Sequence, residues 1–260
     1  MNDIVLTIGW FYPELMSTYG DRGNITCLLQ RMQWRGFQAN IVSLDREASL
    51  REIKKIDIFV GGGAQDRQQE IVMRDLRGEK SKLISDMIEN HTPGIFTCGS
   101  PQLLGRYYEP AFGKRIEGLG IFDMVSVHSG IGVPRCIGNI VVKTGDFFNK
   151  YKDFKNYNNY LVGFENHGGR TYLGKNVKPL GRVVMGFGNN GEDKTEGAIY
   201  KNAFATYLHG PILPKNPFFA DLLLSLALEK KYHKKIQLEQ LDDELEQKAH
   251  DFMVKRTLVA

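Results

Sequence analysis

The sequence has 260 residues, 42% apolar and 25% charged, which is the composition of an ordinary globular protein and excludes a disordered or fibrous chain. Lys and Arg (34) outnumber Asp and Glu (30) by a formal +4, too small and too evenly spread a surplus to mark a nucleic-acid binder. The longest apolar stretch, 218–228, contains Asp221 and falls short of the about 20 residues that a bilayer span needs; Met1-Asn2-Asp3 lacks the basic start of a signal peptide, so the expectation is a cytoplasmic protein, not an integral membrane one.

Residues 4–10 read as a buried strand, followed by a helix with Ile25, Leu28, Leu29 and Met32 on one face and a stop near Gly36. Strands are predicted at 37–44 and 56–61. From 66 to 90 the pattern is helical, with Ile71, Leu76, Leu83, Ile84, Met87 and Ile88 as its apolar positions. A short strand at 94–97 and a short helix at 100–107 continue the alternation, which predicts an α/β fold with a mostly parallel central sheet flanked by helices.

Between 107 and about 200 glycines are dense, and strands at 139–144, 161–164 and 182–187 predict an antiparallel extension of that sheet. Residues 203–208 return to a buried strand, and Asn216-Pro217 suits the N-cap and first turn of a helix. A last helix places Leu238, Leu241, Leu245, Ala249 and Phe252 on one stripe, opposite Asp242, Asp243, Glu244 and Glu246. With no repeat or linker in sight, the expectation is one domain over 1–260, its C-terminal helices at about 216–256 packed on the rest. The turn-rich segment 186–194 reads as an exposed hairpin that could help dock a partner, and the Tyr, Asn and Lys-rich run 151–160 suggests no mechanism.

The three cysteines, Cys27, Cys98 and Cys136, form no CxxC pair, so neither a disulfide framework nor a structural zinc site is predicted. Cys27 lies among apolar helical positions and Cys136 near a strand edge, where packing explains both. Cys98 differs: a strand runs into it, Gly99 follows at once, and a helix begins. That order is a nucleophile elbow, in which the side chain stands up at the carboxyl end of the sheet and the Gly99 N–H points toward a developing oxyanion. A helix N-terminus beside the sulfur favours the reactive thiolate.

A cysteine nucleophile needs a base. Of the six histidines, His233 and His250 sit in charged helical contexts and read as solvated, while His91 precedes the Cys98 strand on its amino side. His209 ends the strand 203–208, at the sheet edge where open α/β folds gather their sites, and is the strongest candidate. His167 and His128 are candidates on the substrate side. Gly61-Gly62-Gly63 ends the neighbouring strand and offers Gly63 as a second oxyanion-hole donor; without a following Gly-Lys-Ser/Thr it is no phosphate loop.

Gly62-Gly63, Cys98-Gly99 with Gln102, and Tyr207-Leu208-His209-Gly210 together resemble the class I glutamine amidotransferases of the cobyric acid synthase type, which have a flavodoxin-like fold. The segments 163–171, 188–190, 206–216 and 19–24 resemble more closely the glutaminase subunits of bacterial lipid II isoglutaminyl synthases. The resemblance implies hydrolysis of L-glutamine by Cys98 and His209, with Arg135 binding the substrate α-carboxylate and Gln102 and His167 beside it. It implies no cofactor on this chain. Ammonia would pass to a MurT-type, Mur-ligase-like partner subunit using ATP and Mg, which amidates the D-glutamate of lipid II to D-isoglutamine at the inner face of the membrane. Many members carry a Glu two residues after the histidine; Pro211 stands there, so the group orienting His209 must come from elsewhere in the chain or from the partner. An amidotransferase with another acceptor, a cysteine hydrolase on the same scaffold, and a non-enzymatic regulatory module are the alternative readings.

Overall fold

The computed structural model describes residues 4–151 and 157–259. The run 151–160 therefore lies partly outside the described residues. In chain order the first half comprises β1 (Val5–Phe11), α1 (Arg22–Trp34), β2 (Gln38–Leu44), α2 (Leu50–Ile53), β3 (Ile58–Gly61), α3 (Asp66–Leu76), α4 (Glu79–Glu89), β4 (Gly94–Thr97) and α5 (Gly99–Leu104). The middle holds β5 (Tyr107–Glu109), β6 (Ile116–Glu117), β7 (Met124–His128), β8 (Cys136–Thr144), β9 (Tyr160–His167), β10 (Gly169–Leu173), β11 (Gly181–Met185) and β12 (Thr195–Glu196). The chain closes with β13 (Ala198–Tyr200), β14 (Ala203–Thr206), α6 (Ile212–Lys215), α7 (Pro217–Tyr232) and α8 (Glu244–Val259).

The central sheet runs β13-β14-β4-β3-β1-β2; all its pairings are parallel except that of β13 with β14. Both faces are buried, and successive side chains divide between two cores: Ile58, Val60, Ile95 and Phe204 enter one, and Phe59, Phe96, Ala203 and Ala205 the other. That is why these strands read as unbroken apolar runs. Helix α7, apolar nearly all round, fills the first core with Phe218, Phe219, Leu222, Leu223 and Leu224.

The antiparallel part expected after residue 107 is present, but it does not lie along the edge of the central sheet. It forms two four-stranded sheets, β10-β7-β5-β6 and β12-β11-β8-β9, and only β13 prolongs the central sheet in the antiparallel sense. Hydrogen bonds of Phe164 N–H to the His209 carbonyl and of His209 N–H to the Phe164 carbonyl stitch β9 to the end of β14. The site therefore sits where sheets meet.

Two local expectations are corrected at the C-terminal end. Asn216 precedes Pro217 at the start of α7, but its side chain does not cap the helix; it accepts from the Val162 N–H and donates to the Val162 carbonyl, acting as one more strand residue beside β9. Of the apolar stripe expected on the last helix, Leu238 and Leu241 precede α8, Leu238 packing on the first core, while Leu245 (77%) and Phe252 (62%) are exposed on the helix itself and Asp243, His250 and Val254 are buried. The reason is polar: Asp243 pairs with the buried Arg31, and His250, expected in solvent, donates from Nδ1 to the Lys215 carbonyl. No helix among the described residues is long and apolar enough to cross a membrane.

Candidate active site

Four neighbouring parallel strands each deliver one group to the carboxyl edge of the central sheet. In sheet order they are His209 after β14, Cys98 after β4, Gly63 after β3 and, past a longer turn, Asp21 after β1. Cys98 has φ 57° and ψ −101°, a strained conformation for a residue with a side chain, and its N–H donates to the Thr206 carbonyl at 2.9 Å. Strain of this kind costs on the order of 1–3 kcal/mol and marks the elbow that turns the sulfur away from the sheet. The residue is only partly buried, so a substrate can reach it.

His209 is fully buried, with its Nδ1 3.0 Å from Asp21 Oδ1. Nδ1 therefore carries the proton that the carboxylate accepts, which leaves Nε2, buried and without a hydrogen-bond partner among the described residues, for the thiol. Burial alone would depress the His209 pKa; the Cys98 thiolate and the Asp21 carboxylate override it and push the value up to about 10. The protonated imidazolium is thus the favoured state of His209. The ring of Tyr19 meets His209 edge-on, with centroids 4.9 Å apart.

Asp21 is the member that sequence reasoning missed. It occupies the N-cap position of α1 without capping it, because both carboxylate oxygens are turned into the site. Tyr19 (φ 60°) and Gly20 (φ 79°) form the left-handed turn that presents it. The signal was the Tyr19-Gly20-Asp21-Arg22-Gly23-Asn24 segment, noted for its resemblance but given no role. The carboxylate that meets His209 Nδ1 thus comes from this chain.

Gly63 requires a correction. Its N–H donates to Asp21 Oδ2 at 2.8 Å and its carbonyl accepts from the Thr18 N–H, so its N–H is not free to hold an oxyanion. Glycine also leaves room there: a Cβ would press on the base, 3.2 Å from His209 Cε1, and touch Cys98 Cβ at 3.4 Å. The backbone group beside Gly99 is instead Ala64 N, 2.8 Å from where a Gly99 Cβ would lie. Gly99 and Ala64 are therefore the candidate pair of N–H donors beside the elbow.

Arg135 stands exposed ahead of β8, its Nε donating to Asn166 Oδ1 and its Nη2 to the Asn166 carbonyl, both at 3.0 Å. Arg170, unremarked in the sequence, donates from Nη2 to the Pro134 carbonyl at 2.9 Å and so ties down the residue before Arg135. His128 Nε2 and Arg135 Nη1 converge on Gly168 at this rim.

Gln102 and His167 are brought near the rim but not into the open. Gln102, 4% exposed, donates to Tyr207 Oη at 3.1 Å and accepts from Gln69 Nε2 at 2.9 Å. His167 lies flat on Tyr207, with ring centroids 3.7 Å apart, and donates from Nδ1 to the Gly169 carbonyl; burial pulls its pKa down. Both side chains are engaged with the protein itself, so the structure gives them a supporting place behind Tyr207 instead of the substrate contact expected.

The segment 186–194 is exposed at Phe187 and over 191–194, as expected, but its middle, 188–190, turns inward. Asn189 and Asn190 are buried, and Glu165 accepts from the Phe187 and Gly188 N–H groups. Of the other cysteines, Cys136 is buried, and burial pushes the Cys27 thiol up to about 12. Neither stands at the site.

Residues 7–217 match the family of CobB/CobQ-like glutamine amidotransferase domains. The chain is 38% identical, over 96% of its own length and 96% of the relative's, to the GatD subunit of the glutamine-hydrolysing lipid II isoglutaminyl synthase of Staphylococcus aureus. It is 41% identical to the subunit of the same name from Streptococcus pneumoniae, over 93% of this chain and 88% of that one. A solved glutamine amidotransferase superimposes with a TM-score of 0.56 at 13% identity, covering 85% of this chain and 98% of the other, a likeness of fold.

Proposed function

The chain belongs to the CobB/CobQ-like glutamine amidotransferase family, and from that premise we propose that it is a glutaminase subunit that releases ammonia from L-glutamine for the amidation of lipid II. The observation that carries this reading is the line Asp21–His209–Cys98 across the carboxyl edge of the parallel sheet. Two of its relatives are named as subunits of lipid II isoglutaminyl synthase, and the match to these two runs nearly end to end.

The chemistry follows from the groups present. Cys98, as thiolate, attacks the side-chain carboxamide carbon of glutamine, and the oxyanion faces the N–H groups of Gly99 and Ala64. The His209 imidazolium gives its Nε2 proton to the departing ammonia, leaving a thioester. Neutral His209 then takes a proton from water, whose oxygen attacks the thioester and frees glutamate and the thiol. Asp21 keeps the Nδ1 proton in place throughout and stabilises the imidazolium. At the rim, Arg135 suits the substrate α-carboxylate through a bidentate pair.

The ammonia acceptor is proposed to be a Mur-ligase-like subunit of the MurT type, which would hold ATP and Mg and amidate the D-glutamate of lipid II at the inner membrane face. The described residues contain no group of three or more His, Cys, Asp or Glu placed to hold a metal ion, and the proposed glutaminase steps use none. The test is amidation by the full chain with the synthetase subunit. Cys98→Ser should abolish the glutamine-dependent reaction and leave the ammonia-dependent one intact; loss of both would show that the subunit does something else essential.

A further inference from the structure

We propose that Glu196 is the residue that sets the position of His209 relative to Cys98, by gripping the three residues that lead into the histidine. This rests on the glutaminase reading of Cys98 and His209. Glu196, fully buried at the end of β12, accepts at Oε1 from both Thr206 Oγ1 (2.7 Å) and the Tyr207 N–H (2.8 Å). Thr206 Oγ1 accepts in turn from the Leu208 N–H at 3.0 Å. Thr206, Tyr207 and Leu208 are therefore all tied, directly or through one hydroxyl, to a single carboxylate oxygen. Thr206 also holds the nucleophile, since its carbonyl accepts the Cys98 N–H. Thr206 thus links the nucleophile to the run that leads into the imidazole, and Glu196 anchors it.

Glu196 is itself secured by the segment that the sequence suggested was an exposed hairpin. Asn189 Oδ1 accepts from the Gly197 N–H at 2.9 Å and Asn189 Nδ2 donates to the Gly197 carbonyl at 3.0 Å, so the asparagine side chain pairs with the backbone next to Glu196 as a strand would. No lysine or arginine among the described residues forms an ion pair with Glu196, and burial, helped by nearby Glu165, raises its carboxyl to about 7 against the pull of its hydrogen-bond donors. A buried carboxyl without a cation is costly. Here it stands at the point where base and nucleophile are joined, facing the pair of donors from Thr206 and Tyr207. Glu196 acts through these residues and is a positioning group, not a catalytic one.

The test measures glutamate release and thermal melting for the full chain carrying Glu196→Ala, Glu196→Gln or Thr206→Val. Removing the grip should lower kcat and spare substrate binding: Glu196→Ala is expected to lose about 30-fold in kcat with KM within about threefold. Glu196→Gln keeps the Oε1 acceptor and should stay within about fivefold of wild type, and Thr206→Val, which removes only the hydroxyl link, should lose about tenfold. Should Glu196→Ala fail to fold, the other two variants carry the test. Full kcat in Thr206→Val, a loss confined to KM, or a Gln variant much worse than predicted would overturn the proposal. Undiminished glutamate release by Cys98→Ser would instead overturn the glutaminase reading beneath it.

Discussion

Asp21 and His209 stand 188 residues apart in the chain and 3.0 Å apart in the fold, carboxylate Oδ1 against imidazole Nδ1. The same carboxylate accepts the Gly63 N–H on its other oxygen. One side chain therefore orients the base and braces the loop beneath it.

Replacing Asp21 with Asn keeps the shape but removes the charge, and an amide N–H can turn toward Nδ1 and favour the wrong tautomer. The expected loss in kcat for glutamine hydrolysis is about 10²- to 10⁴-fold, with KM little changed. Glutamate release by the purified chain measures this, and NMR titration of the His209 ring should show a lower pKa. A variant within a few-fold of wild type would remove Asp21 from the mechanism.

The raised pKa of His209 also links stability to pH. The folded value, about 10, lies above the ordinary histidine value, so the protonated ring stabilises the fold. That contribution is fully present below about pH 6.5 and is lost as pH climbs through about 10. The difference in melting temperature between wild type and His209→Gln is therefore expected to narrow steadily between about pH 7 and about pH 10. A gap that widens with pH would contradict the ion pair.

Arg135 should act on binding and not on chemistry. Arg135→Lys keeps the charge but loses the planar fork, and KM for glutamine is expected to rise about tenfold or more with kcat nearly unchanged. Steady-state kinetics separate the two parameters. Arg170→Ala, which releases the Pro134 carbonyl, should produce a smaller change in the same direction.

Stability away from the site depends on a buried charge cluster. Arg31 donates to Asp221 and Asp243, and Arg35 to Asp221, with both guanidinium groups almost wholly enclosed. Arg31→Ala would remove the buried guanidinium that both Asp221 and Asp243 accept from, for an expected cost of about 3–5 kcal/mol in denaturant unfolding. Because Asp243 leads into α8, limited proteolysis of that helix should accelerate in the same variant.

What could be read from the chain alone was local. A strand that ends in Cys98, a glycine that lets the backbone turn and a helix that starts at once dictate the elbow, because φ and ψ at each step depend on immediate neighbours. His209 was legible for the same reason, at the end of an apolar run with glycine behind it. The exposed face of α8 was not legible: periodicity locates a stripe of Leu245, Ala249 and Phe252, but whether that stripe faces the protein depends on what the helix meets, and the buried polar contacts of Asp243 and His250 prevailed.

The sequence by itself singled out the candidate nucleophile and base, the order of strands and helices around them and, through resemblance, the reaction proposed. Tertiary structure alone decided which carboxylate orients the base, that the Gly63 N–H serves that carboxylate and not an oxyanion, and that Glu196 and Asn189 stand behind the site. The physical reason is the pairing of buried polar groups. Each must find a partner, and when that partner lies ten or two hundred residues away only the packing of the sheets brings the two within hydrogen-bond reach.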